Sequence, residues 1–217
     1  MDFALSPEIE AVRDMVTRFM TNEVVPVMEG FEERHEFPRD LVRKAGEAGL
    51  YGAVFPESVG GSNMGYMAAA VIIEEMSRLE VRFTSCNNQQ GGTCPTSIYM
   101  AGTPAQVDKY VPNLLTGKTI GMMALSESGS GSDAVGAMTT VAKRDGDVYR
   151  INGQKMWASI ANETDVGILI AMTNKEAGAK GASAFIVEPK KYPGFTATPI
   201  DLLGMSKIGR ASCRERV

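Results

Sequence analysis

The hydrophobic pattern of the chain changes once, near residue 118, and this change constrains the fold more than any other feature. Before it, apolar residues recur at helical spacing; after it, short apolar runs are separated by turn residues. Helices followed by strands, without alternation, favour an α+β fold over a doubly wound sheet. We therefore predict an all-helical domain over residues 1–118 and a β domain over residues 119–209.

Start and stop signals define the helical half. Ser6 followed by Pro7 is typical of a helix N-terminus, because the hydroxyl caps free amides and proline fits the first turn. Thr103 and Gln106 have the spacing of a capping box. The predicted helices cover residues 5–28, 38–48, 66–79 and 103–116.

The β half is predicted to consist of antiparallel hairpins arranged as a barrel-like sheet. Asp145-Gly146 and Asn152-Gly153 are the strongest turn signals, because a type I′ turn needs positive φ at both central positions. Each pair is expected to join two short strands.

Composition excludes several classes of protein. With 22 basic and 26 acidic residues, the net charge is −4, so no cationic surplus exists for nucleic acid or an anionic membrane surface. The apolar runs are shorter than the roughly 18 residues of a membrane span. A soluble protein is expected, with no nucleic acid and no membrane partner.

The cysteines and the N-terminus favour a reducing, cytoplasmic location. Cys86, Cys94 and Cys213 form an odd set without C-x-x-C spacing, and His35 is the single histidine, so neither a metal site nor a disulfide is predicted. The segment after Met1 has neither a basic region nor an apolar core of a targeting signal.

The candidate site begins at Ser126–Asp133, a serine- and glycine-rich segment after an apolar run. Hydroxyls and exposed amides there suit a polar cofactor, although the same composition fits a flexible, solvated loop. Gly129–Ala134 matches G-x-G-x-x-A, but a hairpin rather than a helix is predicted next, so a nicotinamide-binding fold is rejected.

Trp157 is the second part of the candidate site. A lone tryptophan is usually a core residue. On a strand, however, Trp157 and Ser159 share a face, and an indole beside a hydroxyl suits a flat heteroaromatic ring.

These segments carry a family resemblance. Met123-Ala-Leu-Ser-Glu-Ser-Gly-Ser-Gly-Ser-Asp133, followed by Asn152-Gly-Gln-Lys-Met-Trp-Ala-Ser159, resembles the paired motifs of the acyl-CoA dehydrogenases. The loop Phe55–Gly61 and the run Ser183–Glu188 fall in family order. Ser126, Ser128, Ser130 and Ser159 depart from the usual threonine, proline, alanine and threonine, and the two replaced threonines keep their hydroxyls.

The resemblance implies a flavoenzyme that transfers electrons from an acyl-CoA thioester through FAD to an electron-transferring flavoprotein, normally as a homotetramer. Ser132 would also contact the acyl-CoA substrate. The implied FAD contacts are Met123, Leu125, Ser126, Gly131, Ser132, Trp157 and Ser159.

The family's C-terminal four-helix domain, which carries the catalytic glutamate, has no counterpart in the chain, so no catalytic base is assigned. The arginine-rich residues 210–217 are interpreted as a truncation or a non-native tail. The fragment alone is expected to be inactive and to hold flavin poorly. Two alternatives stay open: an inactive acyl-CoA or flavin-binding module, and an oxygen-reactive oxidase.

The substrate prediction concerns the polar segment Arg82–Gln90, which lies where the family's acyl chain runs. Its polarity argues against a long aliphatic chain and favours a short or dicarboxylic acyl group, as in the glutaryl-CoA type. Arg82 is the candidate partner for a distal substrate carboxylate.

Overall fold

The computed structural model describes residues 4–200 and the backbone of residues 208–216. The chain divides into two compact units, Met1–Thr119 and Ile120–Val217. In the described part, none of the helices combines the length and apolar character needed to traverse a bilayer.

All regular secondary structure in the described part of the first unit is helical. Two of its segments, Met20–Val24 and Asn88–Thr93, are π-helical. The core contains Val16, Met20 and Met76, which are fully buried. The helices are α1 (Pro7–Phe19), α2 (Val25–Glu33), α3 (Arg39–Glu47), α4 (Gly65–Asn87), α5 (Cys94–Ala101) and α6 (Pro104–Leu115).

Both predicted caps are confirmed. Ser6 Oγ accepts a hydrogen bond from the Ile9 amide at 3.4 Å. At α6, the Gln106 amide donates to Thr103 Oγ1 at 3.3 Å, and the Thr103 amide donates to Gln106 Oε1 at 2.8 Å. Local sequence was sufficient here because each cap involves residues three apart.

Helix α4 continues beyond the predicted end at Leu79. Glu80 interrupts its backbone with φ −154° and ψ 88°, and the helix then resumes to Asn87. The Arg82 guanidinium donates twice to the Glu80 carboxylate, at 2.7 Å each. The irregularity breaks the apolar periodicity, and α5, which follows, was also not predicted.

The strands of the second unit are β1 (Gly121–Ala124), β2 (Val141–Asp145), β3 (Val148–Ser159), β4 (Val166–Met172), β5 (Ala182–Val187), β6 (Phe195–Ile200) and β7 (Ile208–Arg216). They form a seven-stranded sheet with the order β1-β4-β2-β3-β7-β6, in which β5 pairs with β4. Because β7 extends to Arg216, residues 210–216 of the segment interpreted as a tail have strand backbone.

The α+β class is confirmed, but the sheet is mixed and open in the described residues, not an antiparallel barrel. Strand β1 runs parallel to β4, with Met123 opposite Ile168. Parallel neighbours cannot be joined by a tight turn; they need a long connection that brings the chain back to the end where the first strand began. The segment that contains the β2–β3 hairpin provides this connection between β1 and β4.

Only one of the two predicted turns exists. Asp145 pairs with Val148, so the central turn residues are Gly146 and Asp147, and only Gly146 has positive φ, at 64°. This pattern is typical of a type II′ rather than a type I′ turn.

Asn152-Gly153 lies inside β3, so the turn predicted there was wrong. A Cβ on Gly153 would lie 2.2 Å from Thr140 Oγ1. The glycine therefore serves close packing inside the sheet instead of a reversal of the chain.

Candidate functional site

The two segments predicted to form the site meet through the backbone. The loop after β1 begins at Leu125, and the Ser126 carbonyl accepts a hydrogen bond from the Met156 amide at 2.9 Å. Met156 directly precedes Trp157 on β3. One backbone contact thus places the serine-rich loop beside the tryptophan strand.

A buried ion pair lies below this contact. Lys155 Nζ donates to Glu127 Oε1 and to the Leu125 carbonyl, at 2.9 Å each. The Lys155 and Glu127 side chains are only 2% and 4% exposed. Leu125, Ser126 and Glu127 are therefore all held by two consecutive residues of β3.

Glu127 also binds the far end of the loop. Its carboxylate accepts hydrogen bonds from the Thr139 amide at 2.8 Å, from the Thr140 amide at 2.9 Å and from the Thr139 hydroxyl. Burial by itself raises the pKa of Glu127, but the hydrogen bonds from Thr139, Thr140 and Lys155 outweigh it and lower the pKa to about 2. Burial lowers the pKa of Lys155, and Glu127 partly offsets this effect.

Trp157 is an exposed side chain, with 52% of its surface accessible, so it does not take the core position that is usual for a lone tryptophan. Its φ is 63°, in the left-handed region, and the register of β3 against β7 shifts between Lys155 and Ala158. Trp157 and the half-buried Ser159 flank the buried Ala158. A strand irregularity therefore presents the indole to solvent.

A tight turn follows Ser159. Ile160 is buried and has φ 64°, which is unusual for a β-branched residue. Its carbonyl accepts hydrogen bonds from the Thr164 hydroxyl and the Glu163 amide, both at 2.9 Å. These contacts hold the chain in a strained conformation directly beside the candidate site.

The two glycines of the loop from Ser126 to Asp133 lie in open space. A Cβ added to Gly129 or Gly131 would meet no atom within 4 Å. Gly131 and Ser132 are exposed, whereas Met123, Leu125 and Ser126 are half-buried. Ser130 Oγ is buried without a hydrogen-bond partner among the described residues. The exposed amides and hydroxyls can receive a polar ligand.

Arg82 belongs to the first unit and already binds two carboxylates. Besides its paired bonds to Glu80, its guanidinium donates to Glu29 at 3.2 Å. The pKa of Arg82 is raised, mainly by its hydrogen bonds to Glu80. A substrate carboxylate would have to compete with these partners, so the role predicted for Arg82 stays a prediction.

Sequence reasoning did not identify Lys155 as a site component. The signal was present: Ile151 and Lys155 are an even number of residues apart on one strand, so they share a face, and Ile151 is fully buried. A lysine on that face needs a buried partner, and Glu127 provides it.

The fold and the site define a class of protein. The family described as "Acyl-CoA dehydrogenase, N-terminal domain" matches residues 6–118, and "Acyl-CoA dehydrogenase, middle domain" matches residues 122–214. The chain belongs to the acyl-CoA dehydrogenase family, as the motifs indicated.

Among individual proteins, the chain is 36% identical over 207 residues to glutaryl-CoA dehydrogenase from Desulfococcus multivorans, covering 94% of the chain and 53% of the relative. It is 34% identical, with a TM-score of 0.93, to a glutaryl-coenzyme A dehydrogenase in complex with glutaryl-CoA, covering 100% of this chain and 56% of that one.

A third similar protein is a glutaryl-CoA dehydrogenase from Mycobacterium smegmatis in complex with FADH2. The identity is 27% and the TM-score 0.89, covering 98% of this chain and 54% of that one. The chain therefore spans about half the length of the proteins that it matches.

Proposed function

We propose that the chain provides the flavin site and part of the substrate site of an acyl-CoA dehydrogenase. The observation that carries this proposal is the 2.9 Å bond from the Met156 amide to the Ser126 carbonyl, which joins the serine-rich loop to the strand of Trp157. Family membership and the FADH2 complex of a relative support the same proposal.

The residues present fit FAD. An exposed indole can cover one face of a flat ring, and the hydroxyls of Ser126 and Ser159 can bind its polar edge. Gly129 and Gly131 leave the loop backbone open to a ligand. The proposed contacts are Met123, Leu125, Ser126, Gly131, Ser132, Trp157 and Ser159.

When bound, FAD supplies the two-electron oxidant for α,β-dehydrogenation of an acyl-CoA thioester. Trp157 would exclude water from one face of the site, and Ser126 and Ser159 would orient the cofactor. Ser132, exposed at the end of the loop, would bind the acyl-CoA.

Glu127 is unsuitable as the base that removes the substrate α-proton. Its carboxylate is buried and accepts bonds from Lys155, Thr139 and Thr140, and its pKa is lowered to about 2. Such a group holds a proton poorly and lacks free acceptor capacity. We assign no catalytic base to the described residues.

The remaining parts of the proposal concern the whole protein. They are electron transfer to an electron-transferring flavoprotein, assembly as a homotetramer, a cytoplasmic location and a short or dicarboxylic acyl substrate. The identity to glutaryl-CoA dehydrogenase supports the substrate class. Binding of a distal carboxylate by Arg82 would require it to displace Glu80 or Glu29.

Flavin binding can be tested through the single tryptophan. Titration with FAD should quench Trp157 emission, because a stacked flavin ring accepts its excitation. Ser126→Ala should weaken the response, whereas Ser128→Ala, an exposed serine of the same loop, should not. Because the chain alone is expected to hold flavin poorly, the titration extends to about 1 mM FAD, with emission corrected for light absorbed by free FAD. Unchanged corrected emission at that concentration, equivalent to binding weaker than about −4 kcal/mol, would contradict the proposal.

A further inference from the structure

The pair Glu127–Lys155 joins three separate segments at the base of the candidate loop. Lys155 lies on β3, Glu127 lies at the beginning of the loop, and Thr139 and Thr140 lie at its end, just before β2. All contacts to the Glu127 carboxylate are 2.9 Å or shorter. The carboxylate therefore closes the loop that contains Gly131 and Ser132.

Lys155 also holds the residues on either side of Ser126, which is one of the proposed flavin contacts. Lys155 Nζ holds the Leu125 carbonyl at 2.9 Å, immediately before Ser126. The next residue of β3, Met156, holds the Ser126 carbonyl at 2.9 Å, immediately before Trp157. The Met156–Ser126 bond therefore couples Ser126 to the strand of Trp157, and Lys155 holds the residues on both sides of Ser126.

Stability alone does not account for burying two charges. The cost of removing both ions from water commonly cancels their attraction, and an apolar pair of similar size is often as stable. What a buried, fully hydrogen-bonded pair does provide is one defined geometry, because a shifted arrangement leaves a charge unpaired.

We propose that Glu127 and Lys155 are positioning residues that hold Ser126, Ser132 and Trp157 in the arrangement that binds flavin. This inference rests on the proposed function. Neither side chain has to touch the cofactor; each acts through the loop base and β3. Removing the pair is expected to loosen the site while the sheet stays folded.

The test compares the wild-type chain with the double variant Glu127→Gln/Lys155→Met, which keeps both shapes and removes both charges. Three quantities are measured: the urea midpoint, the Trp157 emission maximum without ligand, and the dissociation constant for FAD. We expect a urea midpoint near the wild-type value, a shifted Trp157 emission and FAD binding weaker by at least about tenfold.

A matched control is the exposed pair Asp145–Arg150, at 2.6 Å with both side chains nearly half exposed. The variant Asp145→Asn/Arg150→Met also removes two charges at β2 and β3 and should change none of the three quantities. If the buried double variant does not fold, Glu127→Asp, which keeps a negative charge for Lys155 but shortens the reach to Thr139 and Thr140, should still show weaker FAD binding.

The outcomes separate the two proposals. Wild-type protein without any FAD response overturns the proposed function, and the positioning role with it. Wild-type binding together with an unchanged dissociation constant and unchanged Trp157 emission in the folded variants overturns only the positioning role.

Discussion

Gly153 and Thr140 pack so closely that a Cβ on Gly153 would lie 2.2 Å from Thr140 Oγ1 and 2.6 Å from Thr140 Cα. Because one of these atoms is backbone, rotation of the Thr140 side chain cannot make room. Gly153 therefore limits how β3 passes the end of the candidate loop, where Thr140 also binds Glu127.

Gly153→Ala should destabilise the β unit by about 1–3 kcal/mol, the usual cost of overpacking. The free energy of unfolding in urea measures this change. Gly129→Ala is the matched control, since its Cβ would meet nothing within 4 Å. Equal stability of the two variants would show that the backbone at Thr140 can shift to accommodate the added Cβ at little cost.

Lys155→Met alone should be more damaging than the double variant with Glu127→Gln. The single change leaves a buried carboxylate without its cation, which typically costs about 3–5 kcal/mol. Urea denaturation of the single and double variants measures the difference. A single variant as stable as the double would mean that the Glu127 charge is compensated by Thr139 and Thr140 alone.

Glu127 should contribute a pH-dependent stability. Its folded pKa, about 2, lies below the ordinary value of 4.5, so the contribution is present above pH 4.5 and is lost as the pH falls toward 2. The full loss is about 3 kcal/mol, from roughly 1.4 kcal/mol per pKa unit. Stability curves of wild type and Glu127→Gln should converge across this window, and parallel curves would contradict the assignment.

Thr103→Ala should lower the stability of the helical unit by about 1 kcal/mol, because the Gln106 amide loses its acceptor. The melting temperature measures the change. Thr103→Ser, which retains the hydroxyl, should stay close to wild type. A loss in the serine variant as large as that in the alanine variant would point to the methyl group instead of the cap.

Arg82→Gln distinguishes the substrate prediction from a structural role. If Arg82 binds a distal carboxylate, the variant should weaken glutaryl-CoA binding by about tenfold and leave butyryl-CoA binding unchanged. Calorimetry with both thioesters measures this. Equal effects on the binding of the two thioesters would show that Arg82 has only a structural role, through its contacts with Glu80 and Glu29.

The sequence by itself determined the features that depend on near neighbours. The caps at Ser6 and Thr103, the division near residue 118 and the Ser126–Asp133 loop could all be predicted. Each depends on hydrogen-bonding capacity or hydrophobic period within a few residues, which the amino acids express locally. The family motifs extended these predictions to the candidate site.

Only the tertiary structure decided features whose partners are distant in sequence. Asn152-Gly153 looks like a turn, yet Thr140 makes that glycine a packing residue inside β3. Strand β4 lies parallel to β1 although more than 40 residues separate them along the chain, between Ala124 and Val166. Lys155 and Glu127 are 28 residues apart, and because both are buried, each charge needs the other as its partner. Local pattern cannot specify such contacts, because their energy arises only when the separate segments exclude water together.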